Sequence, residues 1–517
     1  MAPSLNLLAV WAPVQGAAVL AAVAAAIVAL VVSDPRRRAL AVLAAPVLAA
    51  LALATLAGDV DVTVGPALAV AAAAGVVVVL ALAWLVHRRP EAFALLAVGA
   101  LPFRVPVSIG DTAANLLVPL YAVIAAGCIA YAVRRLRDGG EDAVADRLPR
   151  LRRLELAFAA VLGLYAVQSL YSADLEQALK NVAFFYVPFA LLFVLLLDIR
   201  WTRRLVRGAA GVTVVMALAF AAIGFVEFAT GHLLIANAKV VEANDLLPYF
   251  RVNSLFFDPN IYGRYLALTM VLLATVLLWT RRRREAGLIA AALTALWVGL
   301  VFSLSQSSFA ALLVGLAVLA ALRWSPRPVL LAAGAAAAIA AAVVLLAPGV
   351  LNVETDSERA LDRASSGRID LVGGGVAMVR DRPLWGFGSG SFAERYRERE
   401  NVSSEKVAAA SHTIPLTVAA EQGILGLGAY LALVAIALSL LFGGLRGDLT
   451  RGAPWPGAGA VGRTALAAAY CALIVHTLVY AAFLEDPLSW VLPAVAAGLL
   501  ASVRDDAMAA RTSTAAG

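Results

Sequence analysis

The sequence predicts an all-α polytopic integral membrane protein with about 13–15 transmembrane helices and one long extracytoplasmic loop subdomain. Three observations carry that expectation. Apolar runs of 18 or more residues recur along nearly the whole chain, each long enough to cross a hydrocarbon core of about 30 Å. Composition agrees, with 62% hydrophobic and 15% charged residues, where a soluble chain carries about 25% charged. The apolar residues are contiguous rather than alternating, which excludes a transmembrane β-barrel. The 41 Lys and Arg residues give a net charge of +7, but they sit in short clusters between apolar runs. That is the positive-inside pattern, and nucleic acid is excluded as a partner.

Taken in order, apolar runs at 13–32, 39–57 and 66–86 end at Arg36-Arg37-Arg38, Asp59-Val60-Asp61 and His87-Arg88-Arg89. If arginines mark the cytoplasm, Asp59 and Asp61 lie outside. Their D-x-D spacing resembles a metal-bound sugar-donor site, but the loop is very short and chance occurrence is the better reading. A short piece at 92–101 breaks at Leu101-Pro102-Phe103-Arg104-Val105-Pro106, as a half-helix or a proline-kinked span does. After a span at 112–132, the arginine-rich segment 134–155 reads as a topology-setting loop ahead of a headgroup site. Spans follow at 154–171, 181–198, 206–228, 260–279, 286–303, 308–322 and 329–347.

The long interruption comes next, between Pro348 and Gly423, and it is mostly polar. Three units are therefore expected: an N-terminal transmembrane bundle over 1–347, the loop subdomain over 348–422, and C-terminal helices over 423–517. Alternation of the spans puts the loop outside and makes the chain a multi-pass protein of the inner (plasma) membrane. The start MAPSLNLLAVWAPVQ has no basic n-region, so no cleaved signal is expected. Cys128 and Cys471 lie inside apolar runs and read as buried free thiols.

Candidate chemistry concentrates at the outer face. None of the four histidines has metal-ligand spacing, so no metal and no cofactor is expected. His87 reads as solvated, and His232 follows a span end. His476 lies inside an apolar run and reads as a packing residue. His412, in Ser411-His412-Thr413-Ile414-Pro415, stands where the loop re-enters the membrane. An imidazole there can accept a proton from a hydroxyl, although a solvated loop histidine looks the same from spacing alone. Arg251 and Arg264 flank RVNSLFFDPNIYGR. Near hydrocarbon an arginine requires an anionic partner, and its fork suits a phosphate. An ion pair with Asp258 or Glu242 is the plain alternative. Asp258-Pro259-Asn260 reads as a helix start. In the loop, Arg368 opens an amphipathic stretch, and PLWGFGSG forms a glycine-rich turn without the GK[ST] of a P-loop.

In this order the phrases resemble the O-antigen ligase and O-antigen polymerase superfamily. RVNSLFFDPNIYGRYLAL is similar to its arginine-led phrase ending in Pro-Asn at a span start. SGRIDLVGGGVAMVRDRPLWGFGSGSF resembles its Gly-Arg helix and Pro-x-x-Gly-x-Gly turn, and SHTIPLTVAAEQGILGL its histidine and Glu-x-Gly-x-x-Gly entry. The resemblance covers about residues 240–440. It implies a glycosyltransferase that takes a glycan from a polyprenyl diphosphate donor and passes it to an acceptor hydroxyl on a glycan, lipid or protein. Membrane lipids surround it. By the same resemblance Arg251 holds the donor diphosphate, His412 activates the acceptor, and Arg368 joins the phosphate site. Thr413 stands where the family commonly has Asn, and Ser305-Gln306-Ser307-Ser308 lacks the arginine of the family's Ser-Arg phrase. Arg264 or a loop arginine is then expected to supply the second positive charge. The rival readings are a transporter or flippase of a lipid-linked glycan or small solute, and a scaffold for envelope assembly.

Overall fold

The computed structural model describes residues 7–54, 66–109, 112–137, 149–235, 238–246, 249–329, 331, 334–335, 368–400, 413–451, 457–480 and 482–515. The first helices are α1 (Leu7–Val31), α2 (Pro35–Ala54), α3 (Pro66–Arg88) and the short α4 (Glu91–Ala100). A hairpin of β1 (Val105–Ile109) and β2 (Thr112–Leu116) follows, antiparallel with Val105 opposite Leu116. The middle of the chain forms α5 (Val118–Arg137), α6 (Pro149–Ser169), α7 (Leu175–Asn181), a π-helical turn at Val182–Tyr186, and α8 (Val187–Leu197). Then come α9 (Arg203–Thr230), α10 (Ala238–Leu246), α11 (Pro259–Trp279), α12 (Arg283–Ser303) and α13 (Gln306–Arg323). Within the long interruption lie α14 (Arg368–Asp381) and α15 (Phe392–Glu400). The C-terminal part holds α16 (Ile414–Phe442), α17 (Leu445–Arg451), α18 (Ala458–Val479) and α19 (Leu488–Ala515).

The helical membrane architecture is as expected. Among the described residues ten helical stretches are long and apolar enough to cross a membrane, and three further apolar helices are shorter. The expected span at 329–347 lies almost wholly outside those residues. The hairpin is the departure from an all-helical chain. Pro102 and Pro106 cannot donate the bonds that would continue α4, so the chain leaves it after ten residues, or about 15 Å. Arg104, between those prolines, is carried into the body of the protein rather than to its rim.

Arginines close one face of the bundle by binding helix-end carbonyls. Arg38 Nε donates to Ala29 O at 2.8 Å and Arg152 Nη1 to Val31 O at 2.6 Å. Arg463 Nη2 donates to Gly443 O at 2.7 Å, and Arg134 and Arg135 both pair with Asp198. Helix C-termini leave carbonyls unpaired and carry partial negative charge, which a guanidinium satisfies on both counts. The clusters read as topology signals are therefore also caps. The opposite face, called the loop face below, carries α14, α15 and the ends of α11, α13, α16, α18 and α19 that hold the candidate site.

On the loop face α16 is broken. Gly423 has φ 65° and ψ −164° inside the helix, and the turn after α14 threads into the gap. Phe387 N donates to Ala420 O at 3.2 Å, Gly388 N to Glu421 O at 2.8 Å and Ile424 N to Pro383 O at 2.8 Å. A Cβ on Gly386 (φ 67°) would lie 2.2 Å from Glu421 O, and one on Gly423 2.2 Å from Leu384 O. Two backbones meet there at a distance that admits only glycine. The Glu421 carboxylate, buried at the break, accepts from Gly390 N at 2.9 Å and Phe392 N at 3.1 Å.

Candidate functional site

Arg251 is fixed from both sides. Asn244 accepts from Arg251 N at 2.9 Å and donates to Arg251 O at 3.1 Å, a reciprocal amide clamp. Arg251 Nε donates to Ser303 O at 3.2 Å. Its two terminal guanidinium nitrogens have no partner among the described residues. The ion pairs considered from sequence, with Asp258 or Glu242, do not form among those residues. Behind the arginine, the fully buried Glu227 of α9 gathers backbone amides. Oε2 accepts from Asn253 N at 3.2 Å and Ser254 N at 2.7 Å, and Oε1 from Leu234 N at 2.9 Å. Ser254 is held at φ 53°, a conformation uncommon for a non-glycine residue. Glu227 thereby sets the path of the phrase that presents Arg251.

Asp258 caps α11, as its sequence position predicts. Its Oδ1 accepts from Asn260 N at 2.6 Å, while Oδ2 accepts from Tyr480 OH at 3.0 Å. Asn260 Oδ1 accepts from Ser305 Oγ at 2.9 Å, and Asn260 O from Ser308 Oγ at 3.2 Å. Ser305 and Ser308 hydroxyls lie 2.7 Å apart, and Ser307 Oγ reaches His476 Nε2 at 3.2 Å. The serine turn packs onto Gly263, where a Cβ would stand 2.8 Å from Ser308 Oγ. The phrase lacking an arginine is thus a buried hydroxyl network joining α11, α13 and α18. His476 is fully buried in it, as the packing reading expected.

Arg264, one turn further along α11, is 5% exposed and pairs with Asp486, which is 2% exposed. The anionic partner that an arginine needs at this depth is thus Asp486. Asp486 also caps α19, its Oδ1 accepting from Leu488 N at 2.8 Å. Arg264 Nη1 nevertheless has no hydrogen-bond partner among the described residues. Both residues line a cavity of about 40 Å³ together with Arg104, Leu101, Ile261 and Tyr265. Burial lowers the pKa of Arg104, Asp486 opposes the shift and Arg264 reinforces it. Two guanidinium groups and one carboxylate leave this cavity positive. The Tyr480 hydroxyl faces the same charges. Burial and then Asp258 push its pKa up, while Arg264 and Arg104 oppose. Beside Asp486, Glu485 Oε1 accepts from Tyr186 OH at 2.9 Å. Burial raises its pKa, and neighbouring Asp486 adds to the rise.

His412 lies outside the described residues, and so does the side chain of Arg368, whose backbone opens α14. The residue after the histidine, Thr413, is described. Its Oγ1 donates to Leu478 O at 3.2 Å, two residues before Tyr480 on the last turn of α18. The end of the long interruption therefore meets the element that carries His476 and Tyr480. Sequence reasoning passed over Arg104, Glu227, Tyr480 and Asp486. A lone carboxylate in an apolar helix was the available signal for Glu227, and the need of Arg264 for an acid was the signal for Asp486.

Fold and site together define a polytopic membrane protein with a positively charged, partly unsatisfied cluster on one face. Residues 290–431 match the family model described as O-Antigen ligase. The matched stretch runs from α12 into α16 and takes in Arg368 and His412, while Arg251 and Arg264 precede it. The match covers 142 of the chain's 517 residues and shows a likeness of that stretch to the O-antigen ligase family. No curated protein matches the chain.

Proposed function

We propose that the protein transfers a glycan from a polyprenyl diphosphate donor to an acceptor hydroxyl at the extracytoplasmic face of the inner membrane, with inversion and without a metal. The observation that carries this is Arg251, whose two terminal nitrogens have no partner among the described residues, on the same face as the cavity that Arg104 and Arg264 line. In the reaction the acceptor oxygen bonds to the anomeric carbon as the bond from that carbon to the diphosphate oxygen breaks. Attack from the face opposite the leaving group inverts the centre. Negative charge grows on the polyprenyl diphosphate, where preorganised arginines lower the barrier. His412, the candidate base, takes the acceptor proton. Arg251 holds the diphosphate, and the positive Arg104–Arg264 cavity supplies the charge absent from the serine turn. Arg368 stands in the matched stretch as a further phosphate contact.

The test is reconstitution in liposomes with undecaprenyl-diphosphate-linked glycan, measuring released polyprenyl diphosphate and extended or attached product. Arg251→Ala and His412→Ala are expected to lower turnover by at least a hundredfold with unchanged thermal midpoint. Full turnover in both variants overturns the residue assignments. Movement of the lipid-linked glycan across the bilayer without any transfer would establish the flippase reading instead.

A further inference from the structure

The turn Arg382–Gly386 is rigid in its backbone and bare in its side chains. Trp385 O accepts from Tyr171 OH at 2.7 Å and from the buried Gln168 Nε2 at 3.3 Å. Gln168 Nε2 also donates to Gln422 O at 3.2 Å. With the interlocked glycines on either side, the turn has no freedom to fold its side chains away. Yet Leu384 is 61% and Trp385 59% exposed. Leu170, Ile424 and Leu425, their neighbours at the ends of α6 and the α16 break, are exposed too. Tyr171, Trp385 and Arg382 line a cavity of about 470 Å³ with Pro383, Leu384 and Gly386.

The level of this turn in the bundle is set by α16. From Ile424 to Phe442 the helix has 19 residues, a rise of roughly 28 Å at about 1.5 Å each, close to one hydrocarbon thickness. Ile424 therefore stands at the edge of the hydrocarbon, and Pro383 is bonded to its amide. Indole rings are enriched at that depth because one end is apolar and the other tolerates water. The cavity lining suits hydrocarbon and not a saccharide. The Tyr171 hydroxyl is already engaged, and the one remaining polar side chain is Arg382, stacked on Phe387 at 4.9 Å. A sugar held there would leave its hydroxyls unpaired.

We propose that Leu384 and Trp385 insert into the leaflet at the loop face, that an acyl chain of a membrane phospholipid occupies the groove beside Tyr171, and that Arg382 meets its phosphate. The segment carrying α14 and α15 is then a membrane-anchored element, tied at one end to α16 and at the other to lipid. This holds whichever way the protein is oriented and whether or not it is a transferase.

The experiment is depth measurement by spin labelling in vesicles of phosphatidylcholine and phosphatidylglycerol. Leu384→Cys is labelled in a Cys471→Ala chain. Leu431→Cys on the exposed face of α16 marks the hydrocarbon, and Asp245→Cys, at an exposed position of α10, marks water. The label at 384 is expected to collide with oxygen several-fold more than with a water-soluble nickel complex, as at 431. Collision like that at 245 overturns the proposal. Immersion that appears only on adding undecaprenyl diphosphate assigns the groove to the donor's tail and overturns the phospholipid assignment, as does shielding by soluble oligosaccharide alone. As a second readout, brominated lipid is expected to quench tryptophan emission less in Trp385→Phe than in the parent. Equal quenching counts against insertion.

Discussion

Glu485 and Glu227 show how differently a carboxylate behaves inside this protein. Glu485 accepts one hydroxyl and is otherwise crowded by burial and by Asp486, so its pKa is raised. A folded-state pKa above the unfolded one means that the native protein binds the proton more tightly. The associated stability is full below the ordinary carboxylate range and is lost as pH rises through the raised value. Glu485→Gln keeps the acceptor for Tyr186 and removes the charge. It is expected to raise the thermal midpoint in detergent at pH 8, with the gain shrinking toward pH 4; a pH-independent gain would refute the link. Glu227 instead accepts three backbone amides. Glu227→Ala strands buried donors at about 1–3 kcal/mol each. A midpoint loss is expected, together with a higher KM for the lipid-linked donor through the displaced Arg251. Glu227→Gln, which retains an acceptor oxygen, should recover part of both.

At the scale of elements, the break in α16 and the turn after α14 form one device. Gly386 and Gly423 each combine positive φ with a backbone oxygen 2.2 Å from where Cβ would stand, so neither can be replaced without moving the other strand. Gly423→Ala is expected to cost about 3 kcal/mol or more, from strain added to the collision, and to expose residues 368–400 to protease. Gly75→Ala on α3, with open space around it, is the control. The sequence showed this region as glycine-rich, which is a weak signal. It could not show that the second partner was the Glu-x-Gly phrase some forty residues later, because pairing of distant backbones leaves no local period. The hairpin after α4 escaped for a related reason: Pro102 and Pro106 announce a break but not what replaces the helix. The arginine-capped face was legible because charge beside an apolar run has few alternatives.

For the whole molecule, the two candidate arginines differ in how much stability each carries. Arg264 is bound to a buried aspartate that also caps α19, so Arg264→Ala leaves a carboxylate unpaired in the interior, at about 3–5 kcal/mol. Arg251 has terminal nitrogens with no described partner, and Arg251→Ala should leave the midpoint within about 0.5 kcal/mol of the parent's stability. Thermal unfolding beside a transfer assay checks the contrast. If both variants unfold alike, Arg251 is structural and the donor site lies elsewhere. Sequence reasoning gave each of these arginines an anionic partner, since charges at a hydrocarbon boundary are expensive. It missed Arg104 and Asp486, whose approach depends on how α4, α11 and α19 pack.

The lock at Gly386 and Gly423 also orders the protein's synthesis. The turn emerges from the ribosome before its receptor, because Ala420, Glu421 and Ile424 supply the bonding partners and come later in the chain. Until α16 has entered the bilayer, the turn can hold only to Gln168, Tyr171 and Ser172, and its interlock with the Gly423 break stays open. A chain stopped ahead of residue 420 would therefore present that segment held on one side only, with the preceding helices already in place, and the arrival of α16 would close the other.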